Sequence, residues 1–253
     1  MPLKSSRLDR FLATQLNINK RDVKALLAAG RILVDGELAR DAERIVHAFS
    51  DIRYDDKVLQ QRQPRYFMLH KPAGLLSATT DTEQTTVMEL FPLAQRHDLH
   101  IAGRLDKDST GLLLLSDDSR WSKKSMAPEA RVAKVYRVEV RDPISAECVQ
   151  AFAQGIHFPF EDVYTLPAEL QILAPCLARV TLCEGRYHQI KRMFGRFRNP
   201  VLSLHRERIG ALELDPTLAP GQYRALREDE IQKAVQCAAV GAKPEPKATG
   251  GGA

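Results

Sequence analysis

Gly103-Arg104-Leu105-Asp106-Lys107-Asp108-Ser109-Thr110-Gly111-Leu112-Leu113-Leu114-Leu115-Ser116-Asp117 sets a charged loop directly in front of four consecutive leucines. The run Leu112 to Leu115 has the length and punctuation of a strand covered on both faces, with Gly111 before it and Ser116, Asp117 and Asp118 after it. A buried helix of the same composition fits the pattern too. Upstream, His100-Ile101-Ala102-Gly103 is a short apolar lead-in, so the loop hangs between two ordered segments. Such a loop can hold a reactive group in a fixed place. Taken alone, Arg104 and Asp106 also fit a plain turn closed by an ion pair.

With 253 residues the chain has room for two modest domains. Hydrophobic residues make up 44% and charged ones 27%, ordinary for a soluble globular protein, and no apolar stretch approaches the roughly 20 residues that span a bilayer. The N-terminal Met-Pro-Leu-Lys-Ser-Ser-Arg lacks a signal-peptide core, so a cytoplasmic protein is expected. Cys148, Cys176, Cys183 and Cys237 form no Cys-x-x-Cys pair, which predicts free thiols and neither disulfide nor zinc. His97 and His100 lack the further ligands of a zinc motif and are expected to be surface residues. The net charge is +5, and it is concentrated. From Gly185 to Gly210, Arg186, Lys191, Arg192, Arg196, Arg198, Arg206 and Arg208 stand against a single acid, Glu207, which points to an acidic partner.

Along the chain, Leu8, Phe11, Leu12 and Leu16 recur at helical spacing. Asn19 fits the N-cap of a second helix with Val23, Leu26 and Leu27 on its core face and Gly30 at its C-terminal end. Arg31 to Leu38 then reads as a hairpin about Asp35-Gly36, a pair that accepts positive φ. Residues 1–60 form a first domain, 61–64 (Gln-Arg-Gln-Pro) a linker, and 65–240 a second domain. Residues 241–253 lack bulky apolar side chains and are expected to be a disordered tail. In the second domain, strands are predicted at Arg65 to His70, Lys134 to Val140, Leu170 to Leu173 and Arg179 to Cys183. Helices are predicted at Glu83 to Leu90, Ile144 to Gln154 and around Glu228 to Val240. Tyr187, Ile190 and Phe194 share one helical face after Gly185, and Trp121 is a packing residue. No internal repeat is present.

The strings Lys71-Pro72-Ala73-Gly74, Gly103 to Asp117, Lys134-Val-Tyr136 and Glu184-Gly-Arg-Tyr-His-Gln-Ile-Lys-Arg-Met-Phe194 resemble, in order, the motifs of the pseudouridine synthases that modify ribosomal RNA, most closely the RsuA branch. His205-Arg-Glu-Arg-Ile-Gly210 is a further run typical of that branch. Ser109 replaces the usual threonine but keeps a hydroxyl, and His70 replaces the asparagine that more often precedes Lys-Pro. Residues 5 to 55, two helices and a hairpin bearing basic side chains, resemble the small alpha-L (S4-like) RNA-binding domain, although residues 1–60 carry eleven basic residues against nine acidic ones.

The resemblance implies an α+β protein: the S4-like domain, then a synthase domain whose mixed, mostly antiparallel sheet is flanked by helices. It implies Asp106 as the essential carboxylate, Tyr136 against the target base, and Lys191 as the cation paired with Asp106, with Arg192 in that role if the register is off by one. Arg104 helps displace the base, and Ile190 lies beside Tyr136. Arg186, His188, Gln189 and Arg192 complete the expected substrate contacts, and Arg7, Arg10, Lys20, Arg21 and Lys24 the RNA contacts of the N-terminal domain. The reaction it implies, uridine to pseudouridine, is redox-neutral and transfers nothing elsewhere, so no cofactor and no metal are expected. Gly103 to Gly111 also lacks the spacing of a P-loop. The expected partner is 16S ribosomal RNA or the assembling small ribosomal subunit, met by a monomer away from any membrane. A large-subunit synthase shares every motif, and a non-catalytic RNA-binding or ribosome-assembly factor would share the fold; a DNA-binding regulator would need a recognition helix and dimer symmetry that the sequence does not suggest.

Overall fold

Leu112 to Leu115 lie in the middle of a strand, Thr110–Ser116, and all four are inaccessible to solvent. In the computed structural model, which describes residues 5–237, their side chains alternate between two cores, as the period of a strand requires. Leu112 and Leu114 join Met68, Trp121, Ile209 and Leu212 on one face; Leu113 and Leu115 join Leu69, Val87, Phe91 and Leu105 on the other. Neither face can turn to water, so the register of this strand is fixed from both sides.

The chain divides into two compact units between Pro64 and Arg65. In the first, helices Leu8–Leu16 and Lys20–Ala28 pack Leu8, Phe11, Leu12, Val23 and Leu27 against Ile32, Val34 and Ile52 of a four-stranded sheet. Asn19 caps the second helix by accepting from the Asp22 N–H at 3.0 Å, which satisfies one of the free donors at the helix start. Asp35 and Gly36, at φ 55° and 82°, join strands Ile32–Val34 and Glu37–Leu38 in the tight turn their residue types favour.

The second unit is built on a nine-stranded sheet. Its main path runs Glu169–Ala174, Leu177–Leu182, Lys134–Val140, Val201–Ile209, Thr110–Ser116, Tyr66–Lys71 and Tyr223–Ala225. Among the described residues its pairings are antiparallel except one: Thr110–Ser116 runs parallel to Val201–Ile209, with His205 opposite Thr110 and Arg206 opposite Gly111. That join puts the charged loop, which precedes the leucine strand, beside the basic strand from the far end of the sequence. A third core, around Val138, Phe152, Val180, Ile190, Met193 and Phe194, closes the other half of the sheet.

Trp121 is a core residue whose indole N–H donates to the Ile231 carbonyl at 3.0 Å. Helix Ala146–Gln154 is present, capped by Ser145. The helix expected over Glu83 to Leu90 is instead one 3₁₀ turn, Val87–Leu90. Asp81 Oδ1 accepts the N–H groups of Glu83 and Gln84 and holds that segment in a turn, and Pro92 biases Phe91 to extended backbone. The last helix runs only Glu228–Lys233. The tail expected to be disordered, 241–253, lies outside the described residues. Among those residues no helix is long and apolar enough to cross a membrane.

Candidate active site

Two glycines allow the loop its path. Gly103 has φ +84° and Gly111 φ +102°, both in the region that favours glycine; a Cβ on Gly111 would stand 2.3 Å from the Arg206 carbonyl oxygen. Between them, two buried cations grip the loop by its carbonyls. Arg206 donates from Nε to Leu112 O and from Nη2 to Gly103 O, both at 2.7 Å, and from Nη1 to Arg104 O at 3.4 Å. Lys71 has no solvent exposure and donates from Nζ to Lys107 O and Ser109 O, each at 2.8 Å, and to Pro72 O at 2.9 Å. Burial pushes the Lys71 ammonium down to about 8, against the opposing charges of Asp108 and Asp106. Sequence reading missed both clamps, counting Arg206 only among the cations that point to an acidic partner and Lys71 only as part of a motif string.

Asp106 projects from this clamped loop into a cleft of about 870 Å³ that Arg104, Lys134, Tyr136, Arg186, Tyr187, His188 and Arg206 also line. Lys191 Nζ lies 3.2 Å from Asp106 Oδ2, and His188 Nε2 lies 3.4 Å from Oδ1. His188 precedes helix Gln189–Gly195 in a left-handed conformation, φ 49°, and stacks on Tyr187 with centroids 3.9 Å apart. Tyr136 is half-buried and packs against Ile190 and its neighbours on one side and the Leu105 cluster on the other. The Arg206 guanidinium lies 6.0 Å from the Tyr136 ring centre. Residues from four distant parts of the sequence therefore meet around one carboxylate.

The other expected contacts divide. Arg104 is exposed at the cleft. Gln189 is buried, with its amide nitrogen on Glu184 Oε1 at 2.7 Å and its oxygen accepting from the Arg186 N–H, so its polar groups brace the loop from Glu184 to His188. Arg192 pairs with Glu161 at 2.5 Å and lies 3.8 Å over the Phe158 ring. Lys191, not Arg192, thus stands beside Asp106. Tyr187 falls outside the helix it was expected to share with Ile190 and Phe194, and is exposed. The seven cations from Gly185 to Gly210 do not make one open field: Arg186, Lys191 and Arg192 have acidic partners and Arg206 is inside the protein. The Ser109 hydroxyl is buried with no hydrogen-bond partner among the described residues.

Lys134, two residues before Tyr136 on the same strand, is buried in the cleft wall, and desolvation and the nearby Arg206 charge lower its pKa. In the N-terminal unit, Arg7, Lys20, Arg21 and Lys24 line one recess together with Asp9 and Glu43; Arg10 is exposed but is not part of it.

The family of RNA pseudouridylate synthases matches residues 65–195, and the S4 domain matches residues 6–52. The "Ribosomal small subunit pseudouridine synthase A" of Pseudomonas aeruginosa is 52% identical over 226 residues, 89% of this chain and 98% of that protein. Its namesake from Escherichia coli K12 is 42% identical over 230 residues, 90% of this chain and 100% of that one. A solved pseudouridylate synthase structure superposes with a TM-score of 0.67 at 36% identity, covering 90% of this chain and 99% of its own. With an S4 domain ahead of a matching synthase domain and relatives similar over almost their whole length, the chain belongs to the RNA pseudouridylate synthase family.

Proposed function

We propose that this chain converts one uridine of small-subunit (16S) ribosomal RNA to pseudouridine, with Asp106 as the reacting carboxylate. The observation that carries the proposal is the Asp106 side chain at an open cleft, flanked by Lys191 and His188, on a loop clamped from beneath. The names of the relatives at 52% and 42% identity support the choice of small-subunit RNA.

The isomerisation breaks the bond from C1′ to N1 of uracil, turns the base, joins C1′ to C5, and moves the C5 proton ultimately to solvent while N1 regains one. Atoms and electrons balance without an oxidant, so the reaction calls for no cofactor. Asp106, ionised, either attacks C1′ or helps deprotonate the neighbouring carbon after the base leaves. Lys191 holds it charged as the cleft fills and water is displaced. A uridine stacked in RNA is out of reach, so the nucleotide turns out of its helix or loop, at a cost of a few kcal/mol. Arg104 takes the vacated space, and Tyr136, backed by Ile190, meets the extruded base. Arg186 and His188 lie at the rim for neighbouring groups of the nucleotide. The N-terminal unit adds RNA contacts through Arg7, Arg10, Lys20, Arg21 and Lys24. Asp106, Lys191, His188 and Tyr136 all come from one chain, which supports action as a monomer, and the proposed substrate places the protein in the cytoplasm.

The test is pseudouridine mapping of 16S transcripts and partly assembled small subunits, with wild type and with Asp106→Ala and no added cofactor. A single new pseudouridine that the substitution removes is expected. Modification of 23S RNA alone would overturn the choice of subunit, and no modification of any RNA would favour a binding or assembly factor.

A further inference from the structure

Two loops beside the cleft carry large aromatic side chains into solvent. Phe160, in the turn between strands His157–Phe158 and Val163–Tyr164, is 97% exposed, and Tyr187 is 77% exposed. Arg192 ties the two loops together: its guanidinium lies over the Phe158 ring, its Nη2 meets Glu161 Oε2, and its Nη1 donates to the Tyr187 carbonyl at 3.5 Å. Tyr187 stacks on His188 with planes 19° apart, and His188 reaches Asp106. A continuous physical path therefore leads from the carboxylate to Tyr187, through Arg192, to the turn that carries Phe160.

A single exposed aromatic is ordinary on a protein surface. Two of them on cross-braced loops, one lining the cleft and the other next in sequence to Glu161, which pairs with Arg192, need a different account. Phe160 carries no polar handle, and folding gains nothing from a side chain left almost wholly in water. Flat rings alternating with arginines fit the faces of unpaired nucleobases, which stack on such rings whatever their identity. Duplex RNA hides those faces inside its own stack. We propose that Tyr187 and Phe160 form a stacking ridge for unpaired nucleotides flanking the target uridine, so that the protein selects a uridine in a single-stranded or loop context. The proposal rests on the isomerase reading above and adds how the flanking RNA is held.

The experiment uses the full chain and two RNA transcripts containing the mapped uridine, one with its flanks unpaired and one with them closed by a complementary strand. Affinity is read by fluorescence anisotropy over a salt series, and pseudouridine formation is followed on the same transcripts. Phe160→Ala and Tyr187→Ala are each expected to weaken binding of the unpaired form by roughly 5- to 100-fold. The slope of log affinity against log salt should stay unchanged, because a ring neutralises no phosphate. Tyr187→Phe and Phe160→Trp keep a ring and are expected to keep the affinity, and Phe160→Ala, which leaves the Tyr187–His188 stack in place, separates loss of nucleobase stacking from a disturbed His188. Binding of the paired-flank transcript should barely respond. Alanine variants that bind and modify the unpaired transcript as wild type does overturn the ridge, give that surface to a protein partner, and leave the isomerase reading standing. Ring-dependent binding by a wild type that forms no pseudouridine does the reverse. A wild type that fails to bind the unpaired transcript overturns the ridge and leaves the isomerase reading to the mapping on partly assembled subunits.

Discussion

The carboxylate of Asp106 has Lys191 at one oxygen and His188 at the other, at 3.2 and 3.4 Å. Both contacts are long for charge-assisted hydrogen bonds, which leaves the oxygens able to turn toward a sugar. Asp106→Asn keeps the shape of the side chain and removes its charge, so it should abolish isomerisation while RNA still binds, read as pseudouridine yield and anisotropy on one sample. Lys191→Met should lower kcat/KM by about 100-fold or more, the usual scale for losing one electrostatic partner in a closed site; a loss under tenfold would put the stabilising charge elsewhere. Lys71 sets a pH dependence. Its folded pKa of about 8 lies below the ordinary 10.5, so between those values the unfolded chain binds a proton that the native one does not. Its contribution to stability therefore rises with pH through that window and is flat below and above it. At about 1.4 kcal/mol per unit, urea denaturation from pH 7 to 10 should show wild type gaining on Lys71→Met by up to roughly 3 kcal/mol. Parallel profiles would mean the amine is not desolvated. Asp106, Tyr136 and Lys191 could be singled out in the sequence because the family resemblance gives each a role within its motif string. The clamps made by Lys71 and Arg206 could not, although both residues lie in motif strings, because their partner carbonyls lie up to 38 and 103 residues away and become neighbours only through sheet order.

At the scale of the element, the leucine strand carries the site in two ways: it ends the clamped loop, and it supplies Leu113 and Leu115 to the core beneath Leu105. Leu113→Ala opens a void that neighbours packed on both sides cannot close, so it should cost about 2 to 5 kcal/mol by chemical denaturation. A cost below 1 kcal/mol would mean that the core on that face can collapse onto a smaller side chain. This strand was legible from its length and from Gly111 before it and Ser116, Asp117 and Asp118 after it, since an unbroken apolar run has no period and fits a buried helix as well. The segment from Glu83 to Leu90 was misread for a local reason. Thr86 and Glu89 do form the capping box that announces a helix, yet the box follows Glu83 instead of preceding it, and Pro92 leaves room for one turn only. Tyr187 was misassigned because helical spacing continues through His188, whose positive φ breaks the face.

For the whole molecule, the question is how two units share one RNA. The N-terminal unit is barely basic in sum, yet it lines one recess with Arg7, Lys20, Arg21 and Lys24. Arg7 is drawn to Asp9 and Glu43 there, at 2.8 Å each, so Lys20, Arg21 and Lys24 are the charges free to meet phosphate. Charge reads out differently from stacking. Each phosphate neutralised adds about 0.7 to 0.9 to the steepness of log affinity against log salt, whereas a lost stacking contact shifts the line without tilting it. If Lys20 and Lys24 each meet one phosphate, the double variant Lys20→Gln, Lys24→Gln should flatten the slope by about 1.4 to 1.8. Pseudouridine formation at saturating RNA should persist, since neither residue lies in the unit that carries Asp106. An unchanged slope would remove this recess from the RNA surface and leave substrate capture to the second unit. A flattened slope with position-independent loss of affinity would make the N-terminal unit a general RNA grip, and the choice of uridine would then rest with the cleft.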